Sequence, residues 1–138
     1  MAQPTVSRPP LIAAGILVVG RKILLCHRLP SREWFPDVWD LPGGHVEGTE
    51  KPTTALVREL REELGVSIAE PDGRCLARIS TDEFDLRVWL VTEWSGTPKS
   101  IANDEHDEIG WFAESSAIGL RLAHPTYSSL FAAALRLT

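Results

Sequence analysis

Two apolar runs rich in Ile, Leu and Val, residues 11–19 and 23–28, are separated only by Gly20-Arg21-Lys22. Such a pattern reads as a strand, a tight turn and a second strand. Three further stretches read as strands: RCLARIS (residues 74–80), FDLRVWLVTEW (84–94) and EIGWF (108–112), the last preceded by the acidic loop ANDEHDE (102–108). Residues 29–44, LPSREWFPDVWDLPGG, are punctuated by Pro30, Pro36, Pro42 and a glycine pair, so they read as a long, ordered loop.

Two segments carry helical spacing. In the first, Pro52 suits the opening position and Gly65 the residue just past the end. Between them, Leu56, Val57, Leu60 and Leu64 converge on one stripe that must face a core. Lys51 is a poor N-cap, which leaves the start of this helix loosely defined. The second helix, PTYSSLFAAALRL (residues 125–137), closes the chain. Strands mixed with two helices imply helices packed on the faces of a mixed sheet. Residues 1–10, polar and proline-rich, read as a flexible segment, and 11–138 as one domain.

The first helix gathers Glu59, Glu62 and Glu63 beside its apolar stripe, against several helix rules. Glu59 and Glu63 are like charges four residues apart, Arg58 precedes Glu62 in the weaker order, and two acids occupy the last turn, where the helix dipole disfavours anions. Penalties of one sign at one place point to function. An oxygen-rich cluster of this kind suits a hard dication such as Mg2+ or Mn2+.

Read from Gly44, the sequence runs G-x5-E-x7-R-E-L-x-E-E-x-G-V, with Glu50, Arg58, Glu59, Leu60, Glu62, Glu63, Gly65 and Val66 in place. This resembles the Nudix hydrolase signature without a mismatch. The preceding LPGG, the upstream strand pair and the E-x5-W spacing from Glu105 to Trp111 extend the likeness along most of the chain. The resemblance implies an α/β/α sandwich, an α/β fold, whose loop and helix bind Mg2+, or Mn2+ in its place, and cleave a nucleoside diphosphate linked to another group. By the same resemblance Glu59 and Glu63 would be the principal metal ligands, Glu62 would complete the cluster directly or through water, and the Gly43 carbonyl would be a further ligand. Arg58 would orient a glutamate. The general base would come from the helix or from Glu105, itself a candidate ligand, with Glu108 as second choice; Glu50 and Gly65 would be structural, and Glu47 either a cluster member or a solvated loop residue.

Outside that cluster, His27, Arg28 and Arg32 are candidate phosphate contacts, Trp34, Phe35 and Trp39 candidate stacking surfaces, and His124 a candidate base contact. A net charge of -5 argues against a nucleic-acid polymer as partner. The apolar run at 11–19 is too short to span a membrane. Cys26 and Cys75 lack metal-ligand spacing and read as buried thiols of a reducing cytosol. The resulting expectation is hydrolysis of a nucleoside triphosphate, normal or oxidised as in 8-oxo-dGTP, to the monophosphate and pyrophosphate. Two alternatives stand beside it: hydrolysis of a dinucleoside polyphosphate or nucleotide sugar, and nucleotide sensing without turnover.

Overall fold

A computed structural model describes residues 8–101 and 104–138. Most of the expected flexible segment, residues 1–7, and residues 102–103 of the acidic loop lie outside it. The chain runs β1 (Leu11–Val19), β2 (Lys22–Arg28), β3 (Trp39–Asp40), β4 (Gly43–His45), α1 (Pro52–Leu64), β5 (Ala77–Ser80), β6 (Asp85–Val91), β7 (His106–Ala113), α2 (Glu114–Ala117) and α3 (Tyr127–Arg136).

The expected hairpin is present. Gly20 and Arg21 both have positive φ, as a two-residue turn of the primed type requires, and Val19 pairs with Lys22. β1 then organises the seven-stranded mixed sheet. One edge runs parallel to β6, while the other pairs with β4 near its start and with β2 near its end. β2 in turn carries β3 on one edge and β7 on the other.

Period-2 alternation divides the side chains of β1 between two buried layers. Ala14, Ile16 and Val18 join Leu86, Val88, Tyr127, Leu130 and Phe131 under α3. Ala13 and Leu17 join Leu24, Leu56, Leu60, Leu64 and Trp89 under α1. The sheet is therefore covered on both faces, the α/β/α sandwich expected from the sequence.

Three details differ from the sequence reading. Residues 29–44 are not all loop, since β3 and β4 lie within them. β7 begins at His106, inside the acidic stretch, because its backbone continues the β2 ladder to Arg28 despite the exposed Asp107 and Glu108. A short helix, α2, follows β7 where none was expected. Helix α1 starts at Pro52 with no side-chain cap on Lys51, and Gly65 closes it by donating its N–H to the Arg61 carbonyl. Cys26 is buried and Cys75 partly so; both are free thiols. Among the described residues no helix is long and apolar enough to cross a membrane.

Candidate metal centre and nucleotide cavity

Helix α1 turns its apolar stripe onto the sheet, and this rotation carries two of its acids inward with it. Glu59 is 8% exposed and Glu63 4%, whereas the Glu62 side chain is 58% exposed. Opposite them stands the glycine pair at the start of β4. A Cβ on Gly43 would come within 2.2 Å of the Ala13 carbonyl oxygen, and one on Gly44 within 2.4 Å of the Glu59 carboxylate. The pair thus lets β4 lie against β1 and lets a glutamate lie against β4.

Arg58 anchors one side of the cluster. Its Nε and Nη2 donate to the two oxygens of Glu50, both at 2.9 Å, Nη2 also to the His45 carbonyl at 3.0 Å, and Nη1 to Glu59 at 2.8 Å and Glu62 at 3.2 Å. This two-pronged pairing holds the Glu50 carboxyl down to about 2 and raises the guanidinium's affinity for its proton. The exposed Glu47 comes no closer to Arg58 than 3.9 Å.

Glu63 has no such cation. The Gly43 N–H donates to its Oε2 at 2.8 Å, and the Glu105 carboxyl lies within hydrogen-bonding contact. Burial, then Glu105, then Glu59 push the Glu63 carboxyl well above the ordinary carboxylate range. Burial likewise raises Glu59, with Arg58 opposing. Carboxylates that are buried and face one another are stable as anions only beside a positive charge. An all-oxygen donor set of Glu59, Glu63 and Glu105 fits a hard dication, so the residues present suit Mg2+ or Mn2+.

Beside this acidic corner opens a cavity of about 700 Å³, lined at one side by Gly43, Gly44, Glu63 and Glu105. Arg28, Arg32 and His124 also line it, as do Trp34 and Phe35. Arg28 donates to the carbonyls of Trp34 and Phe35, and Arg32 to that of Asp104, which ties the loop after β2 to the loop before β7. Trp39 is not among the lining residues. Its ring packs on His27 at 5.1 Å and Phe112 at 5.0 Å, so it is a core side chain and not a stacking surface in the cavity. His27 is likewise outside the lining, held between Asp107 at 2.7 Å and Asp37 at 2.9 Å, a setting that repels phosphate. Glu108 is exposed on β7 across from His27, away from the acid cluster.

Among the lining residues that the sequence reading passed over are Asp40, Tyr127 and His106. Asp40 and Tyr127 meet through a 2.6 Å hydrogen bond across 87 positions of sequence, so no local pattern announces them. His106 is buried beside Glu105, its Nδ1 3.1 Å from the Ser100 hydroxyl, and burial lowers its proton affinity.

An oxygen-only acid cluster on a helix, facing a glycine turn and a cavity of nucleotide size, is the equipment of a divalent-cation hydrolase. The chain belongs to the Nudix hydrolase family: the NUDIX domain matches residues 9–134. It is 33% identical over 114 residues to the CTP pyrophosphohydrolase of Escherichia coli, covering 81% of this chain and 82% of that one. Over 87 residues it is 33% identical to the 8-oxo-dGTP diphosphatase of Proteus vulgaris, covering 60% of this chain and 76% of that one. Among solved structures, the MutT NUDIX hydrolase of Burkholderia pseudomallei matches with a TM-score of 0.78 at 28% identity, covering 96% of this chain and 100% of that one. The chain is therefore a Nudix hydrolase with pyrophosphohydrolase activity, its substrate a nucleotide. Nudix hydrolases generally use divalent metals such as Mg2+.

Proposed function

We propose that this Nudix hydrolase cleaves nucleoside triphosphates to the monophosphate and pyrophosphate. The observation that carries the reading is the pairing of the buried Glu63 with the half-buried Glu105 at one side of a cavity of about 700 Å³. Such a volume suits a mononucleotide. The relatives named for CTP and 8-oxo-dGTP support the same class.

Glu59, Glu63 and Glu105, with Glu62 and the Gly43 carbonyl completing the set, would hold Mg2+ or Mn2+, which would neutralise phosphate oxygens and acidify a water. Arg58 fixes the Glu59 carboxylate by a charge-assisted hydrogen bond. Glu105, just before β7 and in contact with Glu63, would take the water's proton. Arg28, Arg32 and His124 line the cavity, which supports assigning the two arginines to the phosphates and His124 to the base.

The test is a panel of normal and oxidised ribo- and deoxynucleoside triphosphates, with dinucleoside polyphosphates and nucleotide sugars alongside, in Mg2+, Mn2+ and EDTA. Release of monophosphate and pyrophosphate from triphosphates, abolished by EDTA, is the expected result. Turnover of only the larger compounds, or of none, overturns it.

A further inference from the structure

Strand β3 is two residues long, and it delivers Asp40 into the cavity. Asp40 Oδ1 accepts the Tyr127 hydroxyl at 2.6 Å and its neighbour Leu41's N–H at 2.8 Å. Tyr127 is fully buried, and that burial together with Asp40 pushes its phenol well above the ordinary value. The phenol therefore stays a donor, and the carboxylate is held in one orientation. Among the described residues no donor reaches Oδ2. Asp40 is half-buried in the cavity wall and Oδ2 is not a buried, unpartnered atom, so the donor of an incoming ligand can replace water on it.

Its surroundings say what that ligand is. Phe35, Phe84 and His124 line the same cavity, with ring centroids 4.9 Å apart for Phe35 and His124 and 4.7 Å for Phe84 and His124. Burial lowers the His124 imidazole, so the rings present an uncharged aromatic wall suited to a flat heterocycle. The nearest cation, Arg28, is turned to the Trp34 and Phe35 carbonyls.

We infer that Asp40, positioned by Tyr127, reads the base, with Oδ2 accepting from an exocyclic amino group. Cytosine, guanine and adenine each carry such a group on the base edge. Uracil and thymine offer instead one N–H flanked by two carbonyl oxygens, which a carboxylate repels. Hypoxanthine lacks guanine's amino group. This rests on the nucleotide reading above and adds the class of base.

The experiment compares kcat/KM for CTP against UTP and for GTP against ITP in the wild type, Asp40→Asn and Tyr127→Phe. The wild type is expected to favour the amino-bearing member by about tenfold or more, the scale of one hydrogen bond to a charged acceptor. Asp40→Asn keeps an oxygen for Tyr127 and Leu41 but turns an NH2 group toward the base, so the preference falls to parity or reverses. Tyr127→Phe lowers the ratio in the same direction. Equal wild-type values within both pairs, or an unchanged ratio in Asp40→Asn, overturns the inference. Binding of CMP and UMP followed by NMR in EDTA separates the two readings. Triphosphate turnover without a base preference sinks the role of Asp40 alone, whereas an Asp40-dependent preference for CMP without any turnover sinks the pyrophosphohydrolase.

Discussion

Glu63→Gln is expected to move stability and activity in opposite directions. Glu63 is 4% exposed, receives one backbone N–H, and faces the Glu105 carboxyl. Glutamine fills the same volume, still accepts from Gly43, and adds an NH2 group that donates to Glu105. Replacing a strained acid pair by a satisfied hydrogen bond to a charged partner is worth about 1–3 kcal/mol. For a chain of this length each kcal/mol moves Tm by roughly 3–4 °C, so the metal-free variant should melt about 3–12 °C higher than the wild type. The gain depends on pH. A carboxyl whose folded value is raised gives full stability below its unfolded value of about 4.3, and that stability is lost as pH rises toward the folded value. The advantage of Glu63→Gln should therefore be small at pH 4.5 and grow toward pH 8. Activity should fall at least about 100-fold, since loss even of groups supporting a metal ligand costs that order. Thermal melts in EDTA across this pH range, with turnover in Mg2+, decide the matter. A metal-free Tm that is unchanged or lower at pH 8 refutes the reasoning.

The two glycines should fail differently. Gly44→Ala drives its Cβ into the Glu59 carboxylate and should cut activity by about 10–100-fold with a modest loss of Tm. Gly43→Ala meets the Ala13 carbonyl and should instead destabilise the fold by about 1–3 kcal/mol, both read by melting and turnover of the same preparations. His27 gives a second pH dependence. Burial lowers its imidazole, but Asp107 and Asp37 outweigh that and raise it above the ordinary value. The clamp between Asp37 and β7 is thus fully present below about pH 6.5 and weakens as pH rises through the raised value. Proteolysis within residues 29–38 should accelerate above pH 8 in the wild type, and His27→Gln should be open at every pH.

What was legible in the sequence was whatever repeats at a fixed period or punctuates it. The α1 stripe, its Pro52 start and its Gly65 stop are local features, and so is the β1–β2 turn. β3 and β4 were not legible, because two and three residues are too few to show alternation and their pairing is set by distant strands. The resemblance already set Glu59 and Glu63 apart from Glu62 as principal ligands. What it did not give is the burial, which the rotation of α1 on the sheet sets by turning Glu63 inward and leaving Glu62 exposed. Aromatic residues show the same limit: composition says that Phe35 and Trp39 seek burial, but not that the first lines the cavity and the second the core.

The charge inventory around α1 explains why an acidic chain can hold an anionic substrate. Glu50, Glu59 and Glu62 share the guanidinium of Arg58, which leaves Glu63 and Glu105 facing each other with a single amide donor. The unneutralised charge is thereby concentrated at the one point where helix, glycine turn and cavity meet. Had Arg58 been placed to pair with Glu63, the fold would gain an ion pair and lose the reason for a dication to bind there. Part of the binding energy of that ion comes from relieving a repulsion that folding creates, which ties the cost of burying Glu63 directly to the affinity of the site. The substrate's phosphates then meet the metal's positive charge and not the net charge of -5 carried by the chain.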